Sequence, residues 1–152
     1  MEADRARVYS AILRELDQFN VEKLDTLFMG GGTPSLVPMS VMQEFFSKIS
    51  VSESTEVTME ANPSSITREK AEAWKKVGIR RISMGVQALD DERLLWLSRV
   101  HSKAQAFEAL DALFGAGIEA VSIDYIVGVP EQTVEKIKSE ITRLEFALYL
   151  SG

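Results

Sequence analysis

The chain reads Leu24-Asp25-Thr26-Leu27-Phe28-Met29-Gly30-Gly31-Gly32-Thr33-Pro34 where its first strand is predicted to end. The apolar residues favour a short strand, and the glycines stop it. Because glycine lacks Cβ, such a turn permits positive φ and lets a ligand approach the backbone closely. Its successive amides can form an anion-binding nest. The same glycines can also form nothing more than a tight turn, and from the residues alone both interpretations stay open.

Strands and helices alternate along the rest of the chain. The four predicted strands are Leu24–Met29, Glu56–Glu60, Ile79–Val86 and Val121–Val127. A spacing of roughly thirty residues between strands is typical of strand–helix–strand units with right-handed crossovers and a parallel sheet. Four strands are too few to close an eight-stranded barrel. The sequence therefore predicts one α/β domain over residues 1–152, either an open doubly wound sheet or part of a larger barrel.

Capping residues mark the predicted helices. Thr67 can cap a helix that Gly78 ends, and Thr133 can cap the last helix of the chain. Ser102 and Gln105 have the spacing of a capping box. The remaining helices are predicted over residues 3–19, after Pro38, and over Asp90–Leu97.

Composition excludes several classes of protein. Of the 152 residues, 45% are apolar and 26% are charged, which is usual for a globular domain in the cytoplasm. The net charge of −6 disfavours nonspecific binding to nucleic acid, and no apolar run approaches the ~20 residues of a membrane helix. The chain has no cysteine, so it can form neither a disulfide nor a thiolate metal site. We predict no metal site and no membrane span.

Polar residues follow the predicted strands at the edge where parallel α/β folds bind ligands. Glu60 and Asp124 can accept hydrogen bonds from an ammonium group or ribose hydroxyls, and Gln87 can both donate and accept. Arg99 could clamp a ligand carboxylate. Each of these residues could instead have a role that involves no ligand. Glu60 could be a solvated carboxylate, Gln87 could form hydrogen bonds within the sheet, and Arg99 could form a surface ion pair. Asp124 stands in an apolar run, where burial would demand a partner.

Four segments, in order, together resemble signatures of radical S-adenosylmethionine enzymes, in the subgroup of oxygen-independent coproporphyrinogen III oxidase and its relative the haem chaperone. These segments are Thr26–Leu36, Glu60–Pro63, Arg81–Gln87 and Ser122–Thr133. The resemblance covers roughly residues 24–140 and implies a partial (β/α) TIM-like barrel with about four parallel strands and outer helices. Leu97-Ser98-Arg99-Val100-His101 resembles the LGRxH form of the haem-chaperone branch, with Ser98 in place of glycine.

The resemblance also implies a cofactor and its contacts. It assigns Gly31, Gly32 and Thr33 to the methionine end of S-adenosylmethionine. It places Glu60 and Gln87 in the same pocket, Asp124 at the ribose hydroxyls, and Arg99 near the cofactor carboxylate. In the parent family, reductive cleavage of this cofactor yields a radical that abstracts hydrogen from a porphyrinogen, whereas a haem chaperone would bind and deliver haem. No catalytic residue is assigned in this chain.

One departure from the family is large. The family holds a [4Fe–4S] cluster with a CxxxCxxC loop, and this chain has no cysteine. The resemblance therefore implies a central piece of a longer protein that carries most of the S-adenosylmethionine pocket but cannot bind the cluster, and that is inactive alone. Open sheet edges predict self-association. A phosphate- or sugar-binding α/β domain remains the alternative.

Overall fold

The computed structural model describes residues 2–19 and 24–151, so residues 1, 20–23 and 152 of the predicted domain lie outside the described residues. Six helices are present in these ranges: α1 Glu2–Leu16, α2 Met39–Ser47, α3 Arg68–Val77, α4 Asp91–Trp96, α5 Lys103–Gly115 and α6 Val134–Ser151. Four strands alternate with them: β1 Thr26–Met29, β2 Glu56–Ala61, β3 Arg81–Gln87 and β4 Ala120–Tyr125. Two short 3-10 turns, Pro34–Leu36 and Pro63–Ser65, follow β1 and β2.

The strands form one parallel sheet in the order β1-β2-β3-β4, so each strand lies beside the next one in sequence. Met29 pairs with Met59, and Met59 pairs with Ile82. Because right-handed crossovers in one direction put every connecting helix on the same side, the helices cover one face of the sheet. This order is the one found in a closed barrel, whereas a doubly wound sheet reverses direction midway.

The two faces of the sheet differ in character because side chains alternate along each strand. The helix side is apolar and packed, with Met59, Ile82 and Met84 fully buried against Trp74 of α3 and Leu110 of α5. The opposite face, called here the concave face, carries mostly polar residues and glycine: Thr26, Phe28, Glu56, Thr58, Glu60, Arg81, Ser83, Gly85, Ser122 and Asp124. The fold therefore presents a polar surface on the side that faces the interior of a barrel.

The predicted capping residues are found at the helix ends. Thr67 accepts a hydrogen bond from the amide of Lys70, and Gly78 ends α3 in the left-handed conformation at φ 107°. Ser102 and Gln105 form the complete capping box of α5. At the start of α6, Thr133 accepts from the amide of Lys136 at 3.2 Å.

Several boundaries differ from the prediction. Helix α1 ends at Leu16, because residues 17–19 turn away from the helix. Strand β3 begins at Arg81, and β4 ends at Tyr125 before Ile126 hydrogen-bonds to the Gln87 carbonyl. Asp124 needs no buried partner: its side chain is exposed on the concave face, because alternation turns its apolar neighbours toward the helices.

Candidate functional site

A polar cavity of about 180 Å³ lies at the carboxyl ends of β2, β3 and β4 and beside the glycine turn. Residues of these strand ends and of the turn line it: Gly32, Thr33, Glu60, Ala61, Asn62, Ser83, Gly85, Gln87 and Asp124. A larger cavity of about 330 Å³ lies between α1, β1 and α2, and apolar side chains dominate its lining. The smaller cavity is the candidate site, because the polar groups converge there.

The glycine turn is attached to strand β2. Gly31 and Gly32 have φ of 79° and 67°, so the turn uses the left-handed conformations that glycine permits. The amide of Gly31 donates a hydrogen bond to Oε2 of Glu60 at 3.2 Å. The expected anion nest is therefore already occupied in part by a carboxylate of the protein itself.

The segments behind the glycine turn are fixed by buried hydroxyls. The Oγ atoms of Ser35 and Ser65 lie 2.6 Å apart, and Ser65 donates to the carbonyl of Asn62 at 2.7 Å. Since the single proton of Ser65 goes to this carbonyl, Ser35 is the donor between the two serines. Pro34 is buried beside them. These bonds join the turns after β1 and β2, which carry Thr33 and Asn62 into the cavity.

Gln87 enters the cavity from an irregular end of β3. Its φ is 69°, an uncommon value for a residue with a side chain, and the register with β4 shifts between Gly85 and Gln87. Such bulges redirect side chains and are frequent beside binding sites. The Gln87 amide lies across Gly85: a Cβ at position 85 would stand 2.9 Å from Gln87 Nε2 and 3.5 Å from Asn62 Oδ1. Gly85 therefore leaves the space in which this amide sits.

Asp124 reaches the cavity from β4. The hydroxyl of Ser83 lies 3.4 Å from each of the two Asp124 carboxylate oxygens, and it donates toward them across the concave face. Asp124 is thus oriented while its remaining acceptor sites stay exposed to a ligand.

The electrostatic character of the cavity is acidic. Glu60 and Asp124 supply two carboxylates, and the other lining groups are hydroxyls, amides and glycine backbone. No lysine, arginine or histidine stands among the lining residues. Such a cavity favours a cationic ligand that has hydrogen-bond donors, and it disfavours phosphate.

Arg99 lies elsewhere. Its side chain is exposed, and it is not among the residues lining the cavity. Burial lowers the pKa of the neighbouring His101, and the charge of Arg99 adds a smaller effect in the same direction. His101 is buried, with Nε2 3.0 Å from the carbonyl of Val86. Ser98, which stands where the resembling motif has glycine, has φ 55°. The left-handed conformation gives a physical reason for glycine in that motif.

The structure brings together most of the predicted site residues. Gly32, Thr33, Glu60, Gln87 and Asp124 line the cavity, Gly31 is hydrogen-bonded to Glu60, and Arg99 is apart from them. Three further lining residues, Asn62, Ser83 and Gly85, were assigned no role in the site from the sequence. The signal that could have found them is the alternation of polar residues or glycine at every second position of Glu56–Asn62 and Arg81–Gln87.

The described residues offer little to a metal ion. Among residues 2–19 and 24–151, no group of three histidine, cysteine, aspartate or glutamate side chains could hold one. None of the helices in this part of the chain has the length and apolarity needed to cross a bilayer.

Comparison with known proteins matches residues 1–144 to the radical SAM superfamily. The chain belongs to the radical SAM superfamily. Within the superfamily it is related to the haem chaperones: it is 32% identical over 137 residues to heme chaperone HemW of Lactococcus lactis, covering 88% of this chain and 36% of that protein. It is 34% identical over 128 residues to the mouse mitochondrial radical S-adenosyl methionine domain-containing protein 1, covering 82% of this chain and 29% of that protein. This radical SAM chain thus spans about a third of the length of the curated relatives it matches.

Solved structures agree on the fold. Coproporphyrinogen III oxidase (HemN) from Escherichia coli, a radical SAM enzyme, superposes with a TM-score of 0.81 at 24% identity, over 94% of this chain and 35% of that one. Elp3 from Methanocaldococcus infernus superposes with a TM-score of 0.65 over 89% of this chain. The predicted partial TIM-like barrel is confirmed, and so is the resemblance to the oxidase and haem-chaperone subgroup.

Proposed function

We propose that this chain forms the S-adenosylmethionine-binding part of a radical SAM protein of the haem-chaperone group. The observation that carries the proposal is the acidic cavity at the strand ends, where Glu60 and Asp124 converge and no cationic side chain lines the wall. S-adenosylmethionine carries a sulfonium, an ammonium group and two ribose hydroxyls, all of which suit carboxylates. We also propose a cytoplasmic location, since the composition is that of a water-exposed globular domain.

Each polar residue has a task in this proposal. Glu60 and Asp124 accept from the ammonium group and the ribose hydroxyls, while Gln87, Thr33 and the backbone at Gly32 bind the remaining polar atoms. A cavity of about 180 Å³ is small for a ligand pocket. It therefore encloses one part of the cofactor, and the rest lies along the open concave face. When bound, S-adenosylmethionine supplies radical chemistry to proteins of this family.

The iron–sulfur cluster does not fit the residues present. The family binds it with thiolates, and this chain has no cysteine. We expect that reconstitution with iron and sulfide leaves the chain without the thiolate-to-iron absorption band and without cleavage of S-adenosylmethionine. A stoichiometric cluster on this chain would contradict that expectation.

A role in haem delivery rather than in porphyrinogen oxidation is proposed for the whole protein. Support comes from the bacterial relatives named as haem chaperones, which are 30–33% identical, against 24% for the oxidase structure. The ligand of the whole protein would then be haem, and the alternative ligand is a porphyrinogen. Haem titration of a protein that contains this chain, together with an assay of coproporphyrinogen turnover, separates the two: haem binding without turnover supports delivery, and turnover contradicts it.

A phosphate- or sugar-binding domain is the competing function. The glycine turn favours it, but the Gly31 amide already binds Glu60 and the cavity wall carries two carboxylates. We therefore expect a phosphate ligand to be repelled.

Isothermal titration calorimetry tests these functions directly. S-adenosylmethionine is expected to bind, S-adenosylhomocysteine to bind about tenfold more weakly because it lacks the sulfonium charge, and a sugar phosphate to give no heat of binding. Equal or tighter binding of the sugar phosphate would overturn the proposal.

A matched pair of variants distinguishes the effect of a cavity carboxylate on binding from the effect of the net charge of the chain. Asp124→Asn removes a carboxylate that lines the cavity, whereas Glu72→Gln removes one from the exposed surface of α3. Asp124→Asn is expected to weaken binding of S-adenosylmethionine by about tenfold, the effect of losing a hydrogen bond to a charged group. Glu72→Gln is expected to leave binding unchanged, and an equal loss in both variants would contradict the assignment.

A further inference from the structure

A buried polar cluster lies behind the ends of β3 and β4, on the helix side of the sheet. At its centre is Glu140 of α6, which is only 7% exposed. Glu140 Oε2 accepts from the amide of Leu89 at 3.1 Å and from the hydroxyl of Tyr125 at 2.6 Å. Glu140 Oε1 accepts from Nη2 of Arg93 at 2.5 Å. A buried carboxylate needs such partners, because without them its desolvation is costly.

The partners of Glu140 on the sheet are neighbours of the candidate site. Tyr125 directly follows Asp124, and alternation along β4 points the tyrosine toward the helices while the aspartate points into the cavity. Leu89 stands two residues after Gln87, just beyond the bulge that aims the glutamine. The Glu140 carboxylate therefore binds the ends of both β3 and β4 from the helix side of the sheet.

The loop after β4 joins the same cluster. Gln132 Nε2 donates to the Tyr125 hydroxyl at 3.1 Å and to the carbonyl of Ile126 at 3.3 Å, and its Oε1 accepts from the amide of Gly128 at 2.7 Å. The amide of Ile126 in turn donates to the Gln87 carbonyl at 2.9 Å. A chain of hydrogen bonds thus runs from α6 to the backbone of Gln87.

The cluster is poorly suited to a purely stabilising role. Arg93 keeps its Nη1 buried with no hydrogen-bond partner among the described residues, although Nη2 binds Glu140 and lies 3.5 Å from Asp90. An unpaired buried donor destabilises a fold, and a buried ion pair is weak evidence for stability. The cluster instead fixes the geometry at the ends of β3 and β4.

We infer that Glu140 is a positioning residue of the candidate site: through Tyr125 and Leu89 it sets the placement of Asp124 and Gln87. The inference rests on the proposed binding of S-adenosylmethionine at that site. A carboxylate is needed because Glu140 accepts three hydrogen bonds and donates none. Glutamine at this position would turn its NH2 group either toward the arginine or toward the Leu89 amide and the tyrosine hydroxyl, so at least one of the three contacts would be lost.

The test compares Glu140→Gln and Tyr125→Phe with Leu144→Ala in the 152-residue chain. Leu144 lies one turn further along α6 and is buried in the apolar core, so its truncation destabilises the fold without removing any of these hydrogen bonds. Calorimetry is expected to give about tenfold weaker binding of S-adenosylmethionine for the first two variants and an unchanged affinity for folded Leu144→Ala. Unchanged affinity in Tyr125→Phe, or an equal loss in Leu144→Ala, would overturn the inference.

Hydrogen exchange gives a readout that does not depend on the ligand. Protection of the Ile126 amide is expected to fall by about tenfold relative to core amides in Tyr125→Phe and to stay unchanged relative to them in Leu144→Ala. If the unsubstituted chain binds no S-adenosylmethionine, the proposed function fails while this exchange experiment still decides whether the cluster positions Gln87. Uniform loss of protection in every variant would contradict the positioning role.

Discussion

The amide of Gly31 donates a hydrogen bond of 3.2 Å to Oε2 of Glu60, and this bond joins the glycine turn after β1 to the end of β2. The two strands are paired, with Met29 opposite Met59, so the turn and the carboxylate meet where the sheet ends. Glu60 therefore shapes the turn and also lines the cavity. These two roles can be separated by substitution.

Glu60→Gln keeps an oxygen for the Gly31 amide but removes the negative charge. We expect it to weaken binding of S-adenosylmethionine by about tenfold, because the ammonium group loses its carboxylate. Binding of 5′-methylthioadenosine, which has no ammonium group, should be unchanged. Calorimetry with both ligands measures the difference, and an equal loss for both would mean that the turn itself had been distorted.

Gly85→Ala places a Cβ 2.9 Å from Nε2 of Gln87. Because the obstructed atom is the end of a flexible side chain, the glutamine should swing out of the cavity at a cost in stability below about 1 kcal/mol. Affinity for S-adenosylmethionine should fall several-fold while Tm shifts by no more than about 4 °C.

A double-mutant cycle with Gln87→Ala checks this mechanism. If Gly85 acts by making room for Gln87, the two losses of affinity are not additive. Full additivity would show that Gly85 contributes independently of the glutamine.

Ser98→Gly should stabilise the fold. Ser98 has φ 55°, and the left-handed conformation costs a residue with Cβ about 1–2 kcal/mol, whereas glycine loses about 0.5–1 kcal/mol through the entropy of the unfolded chain. The free energy of unfolding should rise by about 0.5 kcal/mol in urea titrations. Ser10→Gly, within the exposed part of α1, is the control and should have the opposite sign. Destabilisation by Ser98→Gly would contradict the argument.

His101 should make stability depend on pH. Burial lowers the pKa of His101, and the hydrogen bond to the Val86 carbonyl raises it less strongly. Near the ordinary histidine pKa of about 6.5, the unfolded chain then binds more protons than the folded chain. The stabilisation from His101 is therefore complete above that pH and is lost as the pH falls below it. Urea unfolding from about pH 7.5 to about pH 5 should give a steeper loss for the unsubstituted chain than for His101→Gln. Parallel pH profiles would refute this.

Strands β1 and β4 are the edges of the described sheet, and open edges invite pairing between chains. We expect self-association that grows with protein concentration in light scattering. Phe28→Lys, at the β1 edge where the ring is 62% exposed, should reduce it. Leu95→Lys replaces an exposed apolar residue of α4 and should not. A monomer at all concentrations would contradict this prediction.

Local signals in the sequence predict much of this fold. Thr67, Gly78 and the Ser102–Gln105 box mark helix ends through bonds within a few residues, and the structure has each of them. The alternation of strands and helices predicts the parallel sheet, because a crossover helix permits little else. The four motif segments narrow the alternatives to a partial barrel, which the solved relatives confirm.

Features that depend on contacts across the fold were not predicted. The exposure of Asp124 follows from which face of β4 meets the helices, and an apolar run does not specify this. Gln87 owes its conformation to a shift in register with β4, and Glu140 finds Tyr125, Arg93 and Leu89 only after the sheet has assembled. Arg99 does not line the cavity, and the motif around it does not specify where its side chain lies in the fold.

The sheet order β1-β2-β3-β4 has a consequence for folding kinetics. Strands β2, β3 and β4 each pair with the strand that precedes them in sequence, with paired residues 30, 23 and 39 positions apart. No pairing therefore has to wait for a distant segment of the chain. Strand–helix units can join the growing sheet one at a time from either end. Addition of a further unit would extend the sheet without rearranging any existing pair, which makes this architecture tolerant of growth by duplication.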